Sequence, residues 1–253
     1  MPLRPKISPA TATDHGPAPP AGAISGPFAA ARLRGDAGQE LPLSGLTVLA
    51  VEDSRFASEA LRLVMRRAGA RLRRAETLVA AKAHLRVYRP DVMLVDLGLP
   101  DGRGEGLIRE IVTSLRRPTA VLGLSGDPSG RASALAAGAD GFLEKPLEDL
   151  AHLCRALRGL MPEHDLHAST FGPTTPDPLA LQDDLAYAAQ ALQGDIGPER
   201  RHYLSGFLRG LARQTGDAGL AEAATSLRDE SALDPVRQML LARQTGDAAF
   251  KPV

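Results

Sequence analysis

Apolar and polar positions change period in blocks between Leu46 and about Leu160. "LTVLAV" (46–51) is a short apolar run that ends in Glu52, Asp53 and Ser54. Ala57, Ala60, Leu61, Val64, Met65 and Ala68 then recur at spacings of three and four, which predicts an amphipathic helix stopped by Gly69. Residues 71–75 predict a weak, short strand, and 77–88 a helix with Leu78, Ala81, Leu85 and Tyr88 on one face. "DVMLV" (91–95) is a fully apolar strand, and Leu107, Ile108, Ile111 and Val112 mark the next helix. "AVLGLS" (120–125) predicts a fourth strand, followed by a short Ala-rich helix up to Gly138. "GFLE" (141–144) predicts a fifth strand, and Leu147, Leu150, Leu153 and Leu157 a closing helix. Five strands alternating with helices imply an α/β fold with a parallel sheet covered on both faces. Aliphatic strands without alternation fit that arrangement better than a one-sided antiparallel sheet.

The pattern differs on either side of this block. Residues 1–44 are rich in Pro, Ala and Gly, lack an aliphatic pattern and read as a disordered tail. A domain is expected over 45–162, a linker over 163–178, and a helical region over 179–253. Helices are expected near 179–193, 198–215, 217–229 and 234–245, with Pro198 and Pro235 in first-turn positions. "LARQTGDA" occurs at 211–218 and again at 241–248; each copy reads as a helix end at Gly followed by a capping Asp. The apolar content there is thin, so this region is expected to need the α/β domain or a second chain for stability.

Lysine plus arginine equal aspartate plus glutamate, 30 to 30, so no global charge points to nucleic acid or membrane. In 179–253 acidic residues outnumber basic ones by ten to eight, which argues against a DNA-reading module. The one cysteine, Cys154, suits a cytoplasmic setting, and no apolar run approaches the ~18–20 residues of a membrane span.

In open parallel sheets the site lies beyond the carboxyl ends of the strands. The first strand ends in Glu52 and Asp53, the third in Asp96, the fourth in Ser125 and Gly126, and the fifth in Lys145 and Pro146. Three converging carboxylates repel one another, and a divalent cation relieves them. Mg²⁺ is the natural choice, because it is satisfied by few protein carboxylates plus waters. A lone carboxylate, an ammonium and a hydroxyl around such an ion describe a phosphoryl acceptor. Taken singly, Asp96 could start a turn, Ser125 cap a helix, Phe142 fill the core and Lys145 sit in solvent.

Together, Glu52-Asp53, "VDLGLPDG" around Asp96, Ser125-Gly126 and "GADGFLEKP" resemble the receiver domain of two-component response regulators. The resemblance covers 46–160 and implies a doubly wound sheet of strand order 2-1-3-4-5. It implies that Asp96 accepts a phosphoryl group from a sensor histidine kinase or phosphotransfer protein. It assigns Mg²⁺ to Asp53 and Asp96 directly, to Glu52 through water and to the Gly98 carbonyl. It gives Ser125 and Lys145 contacts to the phosphoryl oxygens, makes Phe142 and Ser125 the switch pair, and puts a cis peptide before Pro146. Ser125 to Lys145 is shorter than the common family spacing, so the fourth helix is expected to be stunted.

Output is expected through protein contacts, with DNA unlikely as a partner and no membrane insertion. "HYLSG" around His202 resembles the histidine surroundings of phosphotransfer domains, with Gly206 one turn on and Arg209 and Arg213 on the same face. Ser205 departs from that pattern, where lysine is usual, and the ordinary reading is an exposed helical histidine. An Asp-nucleophile phosphatase is disfavoured by the lack of a second closely spaced acid/base carboxylate after Asp96. A flavodoxin-like cofactor binder is disfavoured by the lack of a phosphate loop after the first strand.

Overall fold

The computed structural model describes residues 41–147, 150–162, 166 and 177–245. The segment 1–40, most of the expected linker and the Gly246-Asp247 end of the second octapeptide copy lie outside them. The α/β block runs β1 (Thr47–Val51), α1 (Arg55–Ala68), β2 (Arg71–Ala75), α2 (Leu78–Val87) and β3 (Val92–Asp96). It continues through β4 (Gly98–Leu99), β5 (Gly102–Arg103), α3 (Gly104–Val112), β6 (Ala120–Ser125), α4 (Gly130–Ala136), β7 (Gly141–Glu144) and α5 (Leu150–Arg158). Among the described residues four helices follow: α6 (Pro178–Ala191), α7 (Pro198–Thr215), α8 (Ala218–Ser226) and α9 (Leu233–Thr245). Among the described residues no helix is long and apolar enough to cross a membrane.

The main sheet has five strands in the order β2-β1-β3-β6-β7, all parallel. Its side chains alternate between two cores, as strand geometry requires. Val48, Ala50, Val92, Leu94, Leu122 and Leu143 pack beneath α1 and α5. Leu49, Val51, Met93, Val95, Val121 and Phe142 pack against the opposite layer, α2, α3 and α4. β1, β3 and β6 are thus covered on both faces, which is why they read as unbroken aliphatic runs. β2 (RLRRA) lies at the edge and fully buries only Ala75.

Two boundaries move. Leu43, in the segment read as tail, is fully buried in the α1–α5 core, and its N–H donates to the Ala68 carbonyl at 2.8 Å. An apolar residue seated under the sheet packs with the domain, so Leu43 lies within it rather than in a tail. In the segment read as linker, Leu166 is buried in the same core and Pro178 is already helical. Pro128 and Gly130 leave α4 only seven residues long.

The last four helices bury a third core that includes Leu185, Leu204, Leu208, Leu220 and Leu240. One of its members comes from the α/β block: Phe56, in the first turn of α1. The first octapeptide copy ends α7 at Gly216 (φ 68°), and Asp217 accepts from the Leu220 N–H to start α8. Arg243, from the second copy, pairs with that same Asp217 at 3.0 Å.

Candidate functional site

Parallel pairing brings the strand ends level, and backbone hydrogen bonds continue past them. Glu52 N–H donates to Ala75 O at 2.8 Å, Leu97 N–H to Leu124 O at 3.0 Å, and Lys145 N–H to Ser125 O at 2.9 Å. Glu52, Asp53, Asp96, Ser125 and Lys145 therefore line one cavity, of about 880 Å³. The Asp96–Gly104 turn is tight. A Cβ on Gly104 would lie 2.0 Å from the Asp96 carbonyl oxygen, so only glycine lets β5 fold back against the end of β3. Asp101, in the same turn, accepts from the N–H groups of Leu78 and Val79 and joins Thr77 in capping α2.

One carboxylate oxygen from each of Glu52, Asp53 and Asp96 lies within 4.8 Å of the others. Lys145 Nζ sits 2.5 Å from Glu52 Oε2 and 2.8 Å from Asp96 Oδ2, while Asp96 Oδ1 accepts from the Gly98 N–H at 3.2 Å. One ammonium among three carboxylates leaves an excess of negative charge away from bulk water. Burial, with Asp96 and Asp53 adding to it against Lys145, pushes the Glu52 carboxyl up to about 8. Burial and Asp96 push Asp53 up to about 7. Burial alone would lower the Lys145 ammonium, but Asp96 and Glu52 outweigh it and hold it above the usual lysine range. A site that must take up protons to tolerate its own carboxylates has the donor set and charge to suit a hard divalent cation.

The other sequence-singled residues have distinct places. Ser125 is half-buried at the end of β6, and its Oγ accepts from the Asp127 N–H at 3.0 Å. Phe142 is buried, with the Arg131 guanidinium 5.6 Å from its ring centre. The Lys145–Pro146 peptide is cis. Gly98 is exposed at the rim. His202 is solvent-exposed on α7, yet it lines the same cavity as Asp96 together with Gly206 and Arg209. Ser205 turns away and donates to the Ala224 carbonyl at 2.6 Å, so it joins α7 to α8. Arg213 leaves that face to pair with Glu144 at the end of β7, at 3.3 Å.

Sequence reasoning missed the residues that seat the helical region on the site. The Tyr203 hydroxyl hydrogen-bonds Asp53 Oδ2, and burial and that carboxylate push the phenol far above its usual range. Asp184 reaches the first turn of α1. It accepts from Ser54 Oγ (2.7 Å), Arg55 N–H (2.9 Å) and Phe56 N–H (3.0 Å). Burial raises its carboxyl, and these donors oppose the rise. One signal was available: Asp184 stands on the apolar stripe of Leu181, Leu185 and Ala188, where a carboxylate must have a partner. Tyr203 and Phe56 gave none.

Residues 48–158 match the family model of the response regulator receiver domain. The chain is 33% identical over 172 residues to the KDP operon transcriptional regulatory protein KdpE of Escherichia coli K12, covering 68% of this chain and 73% of that one. It is 34% identical over 102 residues to the transcriptional regulatory protein PhoP of the same organism, covering 40% of this chain but only 46% of that one. A solved structure similar to this one is the receiver domain of a sensor histidine kinase from Pseudomonas aeruginosa PAO1, which holds a magnesium ion in its active-site cleft. The TM-score is 0.43 and the identity 26%, with 47% of this chain and 99% of that one covered.

Proposed function

The chain belongs to the response regulators of two-component systems, and on that premise we propose that it is a switch phosphorylated on Asp96. The donor is the phosphohistidine of a sensor kinase or phosphotransfer protein, and we place both in the cytoplasm. The observation that carries this reading is the cluster of Glu52, Asp53 and Asp96 within 4.8 Å, with the Lys145 ammonium 2.8 Å from Asp96.

Asp53 and Asp96 would hold Mg²⁺ directly, Glu52 through water, and Gly98 through its carbonyl oxygen. When bound, the ion supplies charge to the phosphoryl oxygens. A carboxylate oxygen of Asp96 attacks phosphorus as the donor imidazole leaves, so the P–N bond breaks and a P–O bond forms. Lys145 releases part of its pairing with Asp96 and neutralises a phosphoryl oxygen. The Ser125 hydroxyl turns from the Asp127 N–H and donates to another. Phe142 repacks into the space this opens beside α4, which is short and built largely of alanine.

The acyl phosphate carries about −1.5 to −2 charge where the carboxylate carried −1, so phosphorylation adds about one negative charge or less at the acceptor, with three strong acceptor oxygens. Here that charge lands against a docked element: Tyr203 is on Asp53, and Arg213 is on Glu144. The helices α6–α9 are therefore the first structure to respond. We read output as protein contact made or broken by this region, whose acidic balance disfavours DNA. The relatives named above are transcriptional regulators, so binding of the phosphorylated chain to DNA fragments is the outcome that would reverse this output reading. The acceptor is tested by labelling with a small phosphodonor and Mg²⁺. Asp96→Asn should abolish the label, and labelling at an unchanged level would refute the assignment.

A further inference from the structure

The helical region lies on the acceptor site, and the face it turns towards that site carries a nucleophile. We infer that His202 exchanges the phosphoryl group with Asp96 within one chain, making α6–α9 an internal phosphotransfer module. This rests on the reading of Asp96 as acceptor.

The seating of α7 is fixed at separate points around the cavity. Tyr203 bonds Asp53, and Arg213 pairs with Glu144. Gly126, just after β6, comes so close that a Cβ added to it would lie 3.7 Å from Gly210 Cα. Asp184 fastens α6 to the start of α1. His202, Gly206 and Gly210 are one turn apart on α7 and so share a face. Held at Tyr203 and Gly210, that face presents His202 to the cavity that Asp96 and Lys145 line.

The chemistry of this face suits the transfer. Exposed on a helix, His202 offers a ring nitrogen lone pair. The approach beside Gly206 is open, since even a Cβ there would meet nothing within 4 Å. Reaction needs the imidazole about 3–3.5 Å from phosphorus. A cavity of about 880 Å³ gives room for the phosphoryl group and for that approach. Arg209 lines the cavity too, and its charge reaches the acceptor rim. The Asp127 carboxyl there is held below its usual range, first by Ser129 and then by Arg209 and Arg213. The P–O bond to Asp96 breaks and a P–N bond forms to the neutral imidazole. The other ring nitrogen keeps its proton, and the Asp96 carboxylate leaves as an anion beside Lys145. No further reactant is consumed.

The test uses the full-length chain with Mg²⁺ and radiolabelled acetyl phosphate. Acyl phosphate is cleaved by alkali; phosphohistidine survives alkali and is lost in acid. The expected result is a fraction of alkali-stable label on His202 that appears after the acyl phosphate. It should be absent from both His202→Gln and Asp96→Asn, and its rate of appearance should not change on about tenfold dilution, because the step is unimolecular. Only alkali-labile label in the unsubstituted chain, decaying as it does in His202→Gln, would overturn the inference while leaving Asp96 as acceptor. A rate that falls in proportion to dilution would overturn it as well, by showing transfer between chains. Absence of any label would sink both the inference and the acceptor assignment.

Discussion

Adjacent aspartates on α6 offer an internal comparison. Asp184 is almost fully buried and accepts three hydrogen bonds from the first turn of α1. Asp183 meets Arg55 at 2.8 Å, with both side chains more than half exposed. Three bonds to a carboxylate at ~1.5 kcal/mol each give ~4.5 kcal/mol. Desolvation of the carboxylate, which also raises its pKa, takes back part, so ~2–3 kcal/mol of docking remains. That is about 30- to 140-fold in the docking equilibrium at ~1.4 kcal/mol per decade. The Asp183 pair, exposed and screened, contributes ~0–1 kcal/mol. Amide hydrogen exchange reads the difference directly. In Asp184→Ala the Arg55 and Phe56 amides should exchange about 30-fold faster or more, while the Leu49 amide inside the sheet keeps its protection. Asp183→Ala should leave all of them nearly unchanged. Equal effects of the two substitutions, or unchanged protection at Arg55 and Phe56, would refute the reasoning that one buried carboxylate fastens the two regions.

Other substitutions and conditions probe neighbouring claims. Phe56→Ala removes a ring from the helical core and should cost ~3–5 kcal/mol, read as earlier unfolding of α6–α9 by chemical denaturation while the sheet persists. Tyr203→Phe frees Asp53 from its hydroxyl partner; losing ~1 kcal/mol of competition should tighten Mg²⁺ binding about fivefold by calorimetric titration. In metal-free protein, Glu52 and Asp53 have folded pKa values raised to about 8 and about 7. Their contribution to stability is therefore fully present below the unfolded values of about 4.5 and 3.8 and is lost progressively as pH rises from there through the folded values of about 8 and about 7. Denaturation midpoints without metal should fall over that range, and saturating Mg²⁺ should flatten the fall.

The strand-end half of the site was legible because a parallel sheet converts strand ends into neighbours. β1, β3 and β6 are buried on both faces, so their runs stand out, and each run ends at a polar residue that faces the cavity. The segment after Asp96 is a two-strand hairpin whose Asp101 caps α2, a role that no local pattern encodes. The docking of α6–α9 was hidden for the same kind of reason. Asp184 and Ser54 are 130 residues apart, and Phe56 carries the same apolar signal whether it fills its own core or another. His202 was visible as a motif, but only tertiary placement shows that it shares a cavity with Asp96.

The central claim is that Asp96, served by the carboxylates and the ammonium around it, forms an acyl phosphate. Its most direct test is to treat the chain with acetyl phosphate and Mg²⁺, trap the acyl phosphate by borohydride reduction, and map the peptides by mass spectrometry. The expected result is conversion of Asp96 to homoserine, abolished when the divalent cation is chelated. Conversion at another carboxylate, or conversion at Asp96 that persists without the cation, would contradict it.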